Sequence, residues 1–265
     1  MVDEVGQAYD DMAEPYIDLV RTTEVHARDL ALIERHLTIR PGTVLDAGCG
    51  PGHLTAHLRS LEVDAIGLDV APRLIDHARA THPVGRYELA SIRQLPHPDR
   101  SVAAILAWYS LIHVPPDELD AVLVELRRVM NPGGTLVAGF FDGDAIAPFD
   151  HKVTTAYFWP VAEFSARLLR AGFTEIERDQ RPLNSGTGNR RHAAIAARTT
   201  GRGAPGRPAL EGPTRIGTGR SEPQSSNSDG TSVDVVVAAR QTQPAPADVH
   251  RTQRGRCSGP RLVWG

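Results

Sequence analysis

The residues best suited to chemistry lie in VLDAGCGPGHLTAHL, residues 44–58. Gly48, Gly50 and Gly52 alternate there, directly after a short apolar run. Glycine lets the backbone turn sharply and approach a ligand with no Cβ in the way. A plain turn between strand and helix needs one such residue, so three at alternate positions point to a nucleotide-like ligand. The dinucleotide fingerprint G-x-G-x-x-G would put its third glycine at position 53, which is His53. The pattern is instead D-x-G-x-G-x-G, led by Asp46. A carboxylate at that point repels a pyrophosphate and suits a ligand that carries an ammonium group. Further on, GLDV ends in Asp69 and Val70. The Asp69 carboxylate could accept both hydroxyls of a ribose, through charge-assisted hydrogen bonds of about 1.5–3 kcal/mol each. Capping the helix that follows is the structural alternative, and the two roles are compatible.

Other reactive types follow. Trp108, Tyr109 and His113 come directly after an apolar run at 102–107. His113 could take a proton from a substrate, because histidine titrates near neutral pH, or it could be structural. Asp150, His151, Lys152, Tyr157 and Trp159 lie between a strand and a helix. They either line a pocket on the ligand side of the sheet or form a polar loop. His53 and His57 are spaced to share a helix face, but no third ligand accompanies them, so no metal site is expected.

The elements that must position these groups alternate. Residues 2–37 read as two amphipathic helices interrupted near 21–24. Strands are expected at 43–48, 64–70, 87–90, 102–107 and 135–141. Helices are expected at 54–61, 72–80, 116–129 and 161–170, with Pro72 suited to a first turn. The strands at 173–181 and 192–198 have no helix between them and must therefore pair antiparallel. The resulting α/β fold is Rossmann-like: a three-layer sandwich with a mostly parallel sheet, mixed at one edge. Ligands of such sheets bind beyond the carboxyl ends of the strands, where the strand order reverses.

Composition narrows the class. The chain has 265 residues, 41% hydrophobic and 23% charged, ordinary values for a globular protein. From residue 201 onward nine Arg face five acids, while the rest carries 20 basic and 27 acidic residues. An acidic body disfavours a nucleic-acid partner. No apolar run approaches the length of a membrane span, and the acidic opening lacks the apolar core of a signal peptide, so a cytoplasmic protein is expected. Cys49 and Cys257 form no disulfide framework. Beyond residue 198 the sequence turns dense in Gly, Pro, Ser and Arg, so 1–198 reads as the folded domain and 199–265 as a disordered tail.

Taken together, VLDAGCGPG, GLDVAPRLIDHARA and ELRRVMNPGGTLVAGFF resemble class I S-adenosylmethionine (SAM)-dependent methyltransferases, of the type 11 kind that includes bacterial small-molecule methyltransferases. The resemblance implies a seven-stranded sheet with its last strand antiparallel. It also implies an N-terminal helical lid over the cofactor, with Tyr9 in it. By the same resemblance Asp46, Ala47, Gly48, Gly50 and Gly52 would hold the methionine end of SAM, Asp69 the ribose and Val70 the adenine. Trp108 would stand near the methyl donor, and His113 and His151 would be the candidate bases toward a small-molecule methyl acceptor. The family's usual Gly-Asp-Ala after the third strand reads Ala90-Ser91-Ile92 here, so the adenine contact would pass to Ser91 or to the Ile92 backbone. Two other readings stand beside methyl transfer: a SAM-binding protein without turnover, and an NAD-dependent oxidoreductase.

Overall fold

The computed structural model describes residues 4–39, 41–182 and 190–200. Its strands are β1 (Val44–Ala47), β2 (Ala65–Asp69), β3 (Arg86–Leu89), β4 (Val102–Trp108), β5 (Met130–Asp142), β6 (Ala147–Asp150), β7 (Thr155–Phe158), β8 (Phe173–Arg181) and β9 (Arg191–Thr199). The helices are α1 (Glu4–Asp11), α2 (Ala13–Thr22), α3 (Ala27–Leu37), α4 (His53–Ser60), α5 (Pro72–Thr81), α6 (Leu119–Val129) and α7 (Val161–Arg170).

Seven strands make one sheet in the order β3-β2-β1-β4-β5-β9-β8. The first five pair in parallel, β9 runs antiparallel to both β5 and β8, and the strand order reverses between β1 and β4. This is the expected Rossmann-like sandwich, with the last strand as the antiparallel one.

Alternation along the central strands explains the layers. Val44, Ala104, Leu106, Val137, Ala194 and Ala196 face one way and pack against Leu32, Ile33 and Leu37 of α3 and Leu54 and Leu58 of α4. Leu45, Ala47, Ile105, Ala107, Leu136 and Ile195 face the other way, against α6 and α7. Both faces of each strand are therefore apolar, as a sheet covered on both sides requires.

Several boundaries differ from expectation. The opening forms three helices, because the chain breaks at Met12 as well as at 23–26, where the His26 side chain accepts the Arg28 N–H at 3.2 Å and caps α3. The helix expected from Pro116 starts at Leu119, after a turn in which the N–H groups of Glu118 and Leu119 donate to the Pro115 carbonyl. β5 begins at Met130, through the expected turn, with an irregular register opposite Val102–Ala104. β6 and β7 form a hairpin in what read as a loop, and Trp159 after it is fully buried. Thr199, expected in the tail, ends β9, and the Thr200 N–H donates to the Gly172 carbonyl at 3.0 Å. The rest of the expected tail, with Cys257, lies outside the described residues. Among the described residues no helix is long and apolar enough to cross a membrane.

One buried ion pair ties the first layer to the sheet edge. The Arg181 guanidinium donates to both oxygens of Asp29, at 2.6 and 2.8 Å, and both side chains are almost completely buried. Removing one member leaves an uncompensated buried charge. Arg181→Met is therefore expected to lower unfolding free energy by about 3–5 kcal/mol in denaturant titrations, and the Asp29→Leu/Arg181→Met double variant to regain most of it.

Candidate functional site

The bend after β1 sits at the reversal in strand order. Gly48, Gly50 and Gly52 all have positive φ, at 84°, 52° and 87°. A Cβ on Gly48 would fall 2.3 Å from the Ser110 Cβ, and one on Gly52 within 2.9 Å of both Tyr87 and Ala78. The backbone amides of the bend are already used. Those of Gly48 and Cys49 donate to the Leu68 carbonyl at 2.8 and 3.0 Å, and that of Gly52 to the Cys49 carbonyl at 3.0 Å. The Gly50 N–H donates to Asp69 Oδ2 at 2.9 Å. A pyrophosphate cradle needs such amides free and pointed outward. This bend offers none of these four, and two carboxylates stand beside it.

Those carboxylates are held differently. Asp46 is buried in β1 and accepts the Thr55 hydroxyl at 2.6 Å, across the start of α4. Burial pushes its pKa up to about 7, against the Thr55 hydrogen bond, and the nearby Asp69 charge adds to the rise. Asp69 is half-buried at the end of β2. Its Oδ1 accepts the Ala71 N–H at 2.9 Å, so one carboxylate orients both the glycine bend and the entry to α5. The capping role is thus present. A carboxylate oxygen can accept more than one hydrogen bond, so the capping role does not by itself decide against ribose binding.

The α1–α2 segment covers this corner. Ala13 and Ile17 pack on Ala71 and Leu74, with Tyr9 and Tyr16 alongside. The two tyrosine rings meet edge to face at 5.0 Å, and Tyr16 faces Gly50, its ring 3.4 Å from where a Cβ would stand. Burial raises the pKa of both hydroxyls. Tyr9 reaches across to His113, its hydroxyl 2.9 Å from Nε2. The other ring nitrogen, Nδ1, lies 2.8 Å from the Thr155 carbonyl. A carbonyl only accepts, so Nδ1 carries the proton and the neutral ring presents a bare Nε2 that accepts from Tyr9. Burial lowers the His113 pKa, which favours that neutral form.

Beyond His113 the sheet edge is aromatic. The rings of His113 and His151 lie 5.1 Å apart, and Phe141 packs against Phe149, His151 and His192. The Tyr109 hydroxyl is hydrogen-bonded to His192 Nδ1. Tyr109 holds φ at 55°, a conformation rare for a large side chain and common at functional sites. His192, Phe141 and the neighbouring Arg190 were not singled out from sequence. The signal was available: a strand antiparallel to β5 must begin, not end, at the carboxyl edge of the parallel strands.

The remaining expected residues divide. Ala47 is core, and Val70 is half-buried beside Asp69. The Ser91 hydroxyl accepts the Arg93 N–H at 3.2 Å, and Ile92 packs on the α6–α7 side of the core. Trp108 lies over Gly139, edge to face with Tyr109, and its apolar contacts run to the α3 side of the sheet. His57 Nε2 pairs with Glu34 at 2.9 Å, while His53 Nδ1 is buried without a partner.

Residues 44–134 match the family described as "Methyltransferase domain". A malonyl-[acyl-carrier protein] O-methyltransferase of Erwinia billingiae is 30% identical over 154 residues, 58% of this chain and 58% of that protein. Its counterpart from Serratia marcescens is 35% identical over 149 residues, 53% of this chain and 57% of that protein. The chain therefore spans under two thirds of the curated relatives it matches. Among solved structures, Burkholderia thailandensis 1,6-didemethyltoxoflavin-N1-methyltransferase with bound S-adenosylhomocysteine aligns at TM-score 0.62 and 20% identity, covering 74% of this chain and 87% of that one. The [4+2]-cyclase SpnF aligns at TM-score 0.61 and 20% identity, covering 74% and 96%. These structures share the fold, and the second carries a name other than methyltransferase.

The raised pKa of Asp46 has a measurable consequence. The folded state binds this proton more tightly than the unfolded chain, so the contribution of Asp46 to stability is full below about pH 4 and is lost as pH rises through about 7. Asp46→Asn removes that titration and leaves the histidines in place. The stability of the variant minus that of the wild type should rise between pH 5 and pH 8 by an amount on the order of a few kcal/mol in urea melts. A constant difference would show that Asp46 does not titrate in this window.

Proposed function

We propose that this chain, which carries a class I methyltransferase domain, moves a methyl group from SAM to a small organic acceptor. The observation that carries the reading is the bend at Gly48, Gly50 and Gly52 beside Asp69, whose amides are engaged within the chain and whose nearest charges are negative. That chemistry suits a nucleoside bearing an amino acid. It works against NAD, whose pyrophosphate would meet two carboxylates and four occupied amides.

SAM supplies the activated methyl group, so the protein's work is binding and alignment. On this reading Asp69 accepts the ribose hydroxyls. Val70, Ser91 and Ile92 border the adenine, and Asp46, Ala47 and the three glycines shape the methionine end. Trp108 backs the strand that delivers the acceptor. Tyr9 closes the site and His113 Nε2 receives the acceptor's proton, with His151 behind it. Alignment of a nucleophile at near-attack distance can account for about 7–11 kcal/mol of a barrier. On this reading the methyltransferase domain runs two residues past the expected 198, through Thr200, and a cytoplasmic setting belongs to the same reading.

The likeness to a cyclase keeps a non-transferring protein of the same fold in view. Incubating the full chain with methyl-labelled SAM and a cell extract, followed by mass identification of labelled species, separates the two. Malonyl-[acyl-carrier protein] is the first defined acceptor to include, since relatives are named for it. SAM binding with no labelled product from any pool would leave a binding protein. For the ribose assignment, Asp69→Ala should weaken SAM affinity about tenfold or more by calorimetry. Unchanged affinity would remove Asp69 from the site.

A further inference from the structure

Across the mouth of the aromatic edge lies a guanidinium with little to hold. Arg190 is half-buried immediately before β9, its guanidinium carbon 4.6 Å from the Phe149 ring centroid and 5.6 Å from that of Phe141. Stacking on aromatic faces fixes the guanidinium plane and leaves the in-plane N–H groups to a ligand. The polar contact that Arg190 makes is a long one, 3.5 Å to the Asp150 carbonyl. Among the described residues no carboxylate pairs with it, whereas the adjacent Arg191 pairs with Asp142 and Asp144. A second orphan stands nearby. His151, whose ring is within 6.3 Å of both phenylalanines, has a buried Nδ1 with no hydrogen-bond partner. The Arg190 charge is one cause of its lowered pKa, after burial and His113, which sets the two side chains close together.

We infer that Arg190, stacked on Phe149 and Phe141 beside His151, anchors a carboxylate carried by a methyl acceptor with a planar, apolar body. The proposal rests on the methyl-transfer reading for the word acceptor, and on the geometry alone for the carboxylate. An uncommitted guanidinium edge matches a carboxylate with two parallel hydrogen bonds. The rings of Phe141, Phe149 and His192 supply apolar faces for the body of such a molecule, and His151 Nδ1 supplies the polar contact its orphaned state calls for. Arg190 is then a specificity-determining residue at the far side of the site from Asp69.

The test uses the full chain saturated with S-adenosylhomocysteine, with benzoate and benzamide as matched probes, titrated by calorimetry. Benzoate is expected to bind at least about tenfold more tightly than benzamide, and Arg190→Gln to reduce that preference to within about twofold while S-adenosylhomocysteine affinity stays unchanged. Arg190→Lys should keep part of the preference, because it retains charge without the planar fork. Histidine NMR signals give a second readout on the wild type: benzoate should shift His151 and His192 and leave His57 still. Equal affinity for the two probes, no benzoate binding, or shifts confined to other histidines would overturn the proposal. Failure of S-adenosylhomocysteine to bind at all would instead remove the methyl-transfer reading, and the benzoate comparison would still decide the anion site.

Discussion

The carboxylate of Asp69 is the interaction on which the site depends. It ends β2, and its two oxygens accept the N–H groups of Gly50 and Ala71. One residue therefore joins three pieces that the chain delivers separately: the second strand, the bend after the first, and the first turn of α5. Parallel neighbouring strands make this possible, because β1 and β2 end side by side with Ala47 opposite Leu68. A hydrogen bond to a charged acceptor contributes more than a neutral one. With the bend fixed in this way, its amides are turned to Leu68, Asp69 and the Cys49 carbonyl, and the surface left for a ligand is acceptor-rich. The kind of nucleoside the site suits follows from that polarity.

A second network fixes the opposite edge. Asp29 and Arg181 pair in the interior, both act electrostatically on the Tyr109 hydroxyl, and the same hydroxyl meets His192. Tyr109 holds a left-handed backbone conformation within it, with its N–H donating to the Gly139 carbonyl at 3.0 Å. The strain of that conformation is offset by burial of the ring among Trp108, Phe141 and His192. Small residues take part here too: Gly139 leaves room for the Trp108 indole, where a Cβ would lie 2.8 Å from the ring. The arrangement places aromatic rings, rather than a solvated loop, next to His113.

How much of this was legible in the sequence depends on the range of the interaction. The strands at 44–47 and 102–108 announce themselves by continuous apolar character, and α7 at Val161–Arg170 and β8 at Phe173–Arg181 match expectation residue for residue. Those signals are local. The break at Met12 had a local marker that was not used: Pro15, in the first turn of α2, has no N–H to donate to the Asp11 carbonyl, where α1 ends. The hairpin β6–β7 was missed because Pro148 and the polar HKVTT turn look like loop chemistry; its pairing is supported by Phe149 and Phe158 stacked at 4.2 Å, a contact visible only once the strands are opposed. The glycine bend and Asp69 were found because the motif is contiguous. Arg190 and His192 were not, because their relevance comes from the reversal of β9 against β5, which brings residues fifty positions apart in sequence to one edge.

The tyrosines of the covering helices bear on selectivity as well as closure. His113 Nε2 is satisfied by Tyr9, and Tyr16 faces Gly50. A buried acceptor left unpaired costs about 1–3 kcal/mol, so the Tyr9 hydroxyl stabilises the covering helices in this position. On the methyl-transfer reading, an acceptor at His113 would take the place of the Tyr9 hydroxyl. Only an acceptor that brings its own O–H or N–H restores the hydrogen bond to Nε2. A molecule of the same shape without that proton would leave the nitrogen bare in an aromatic pocket and bind less tightly for that reason. On that reading the tautomer fixed by the Thr155 carbonyl would make His113 selective before any proton moves, because the neutral ring presents an acceptor at Nε2.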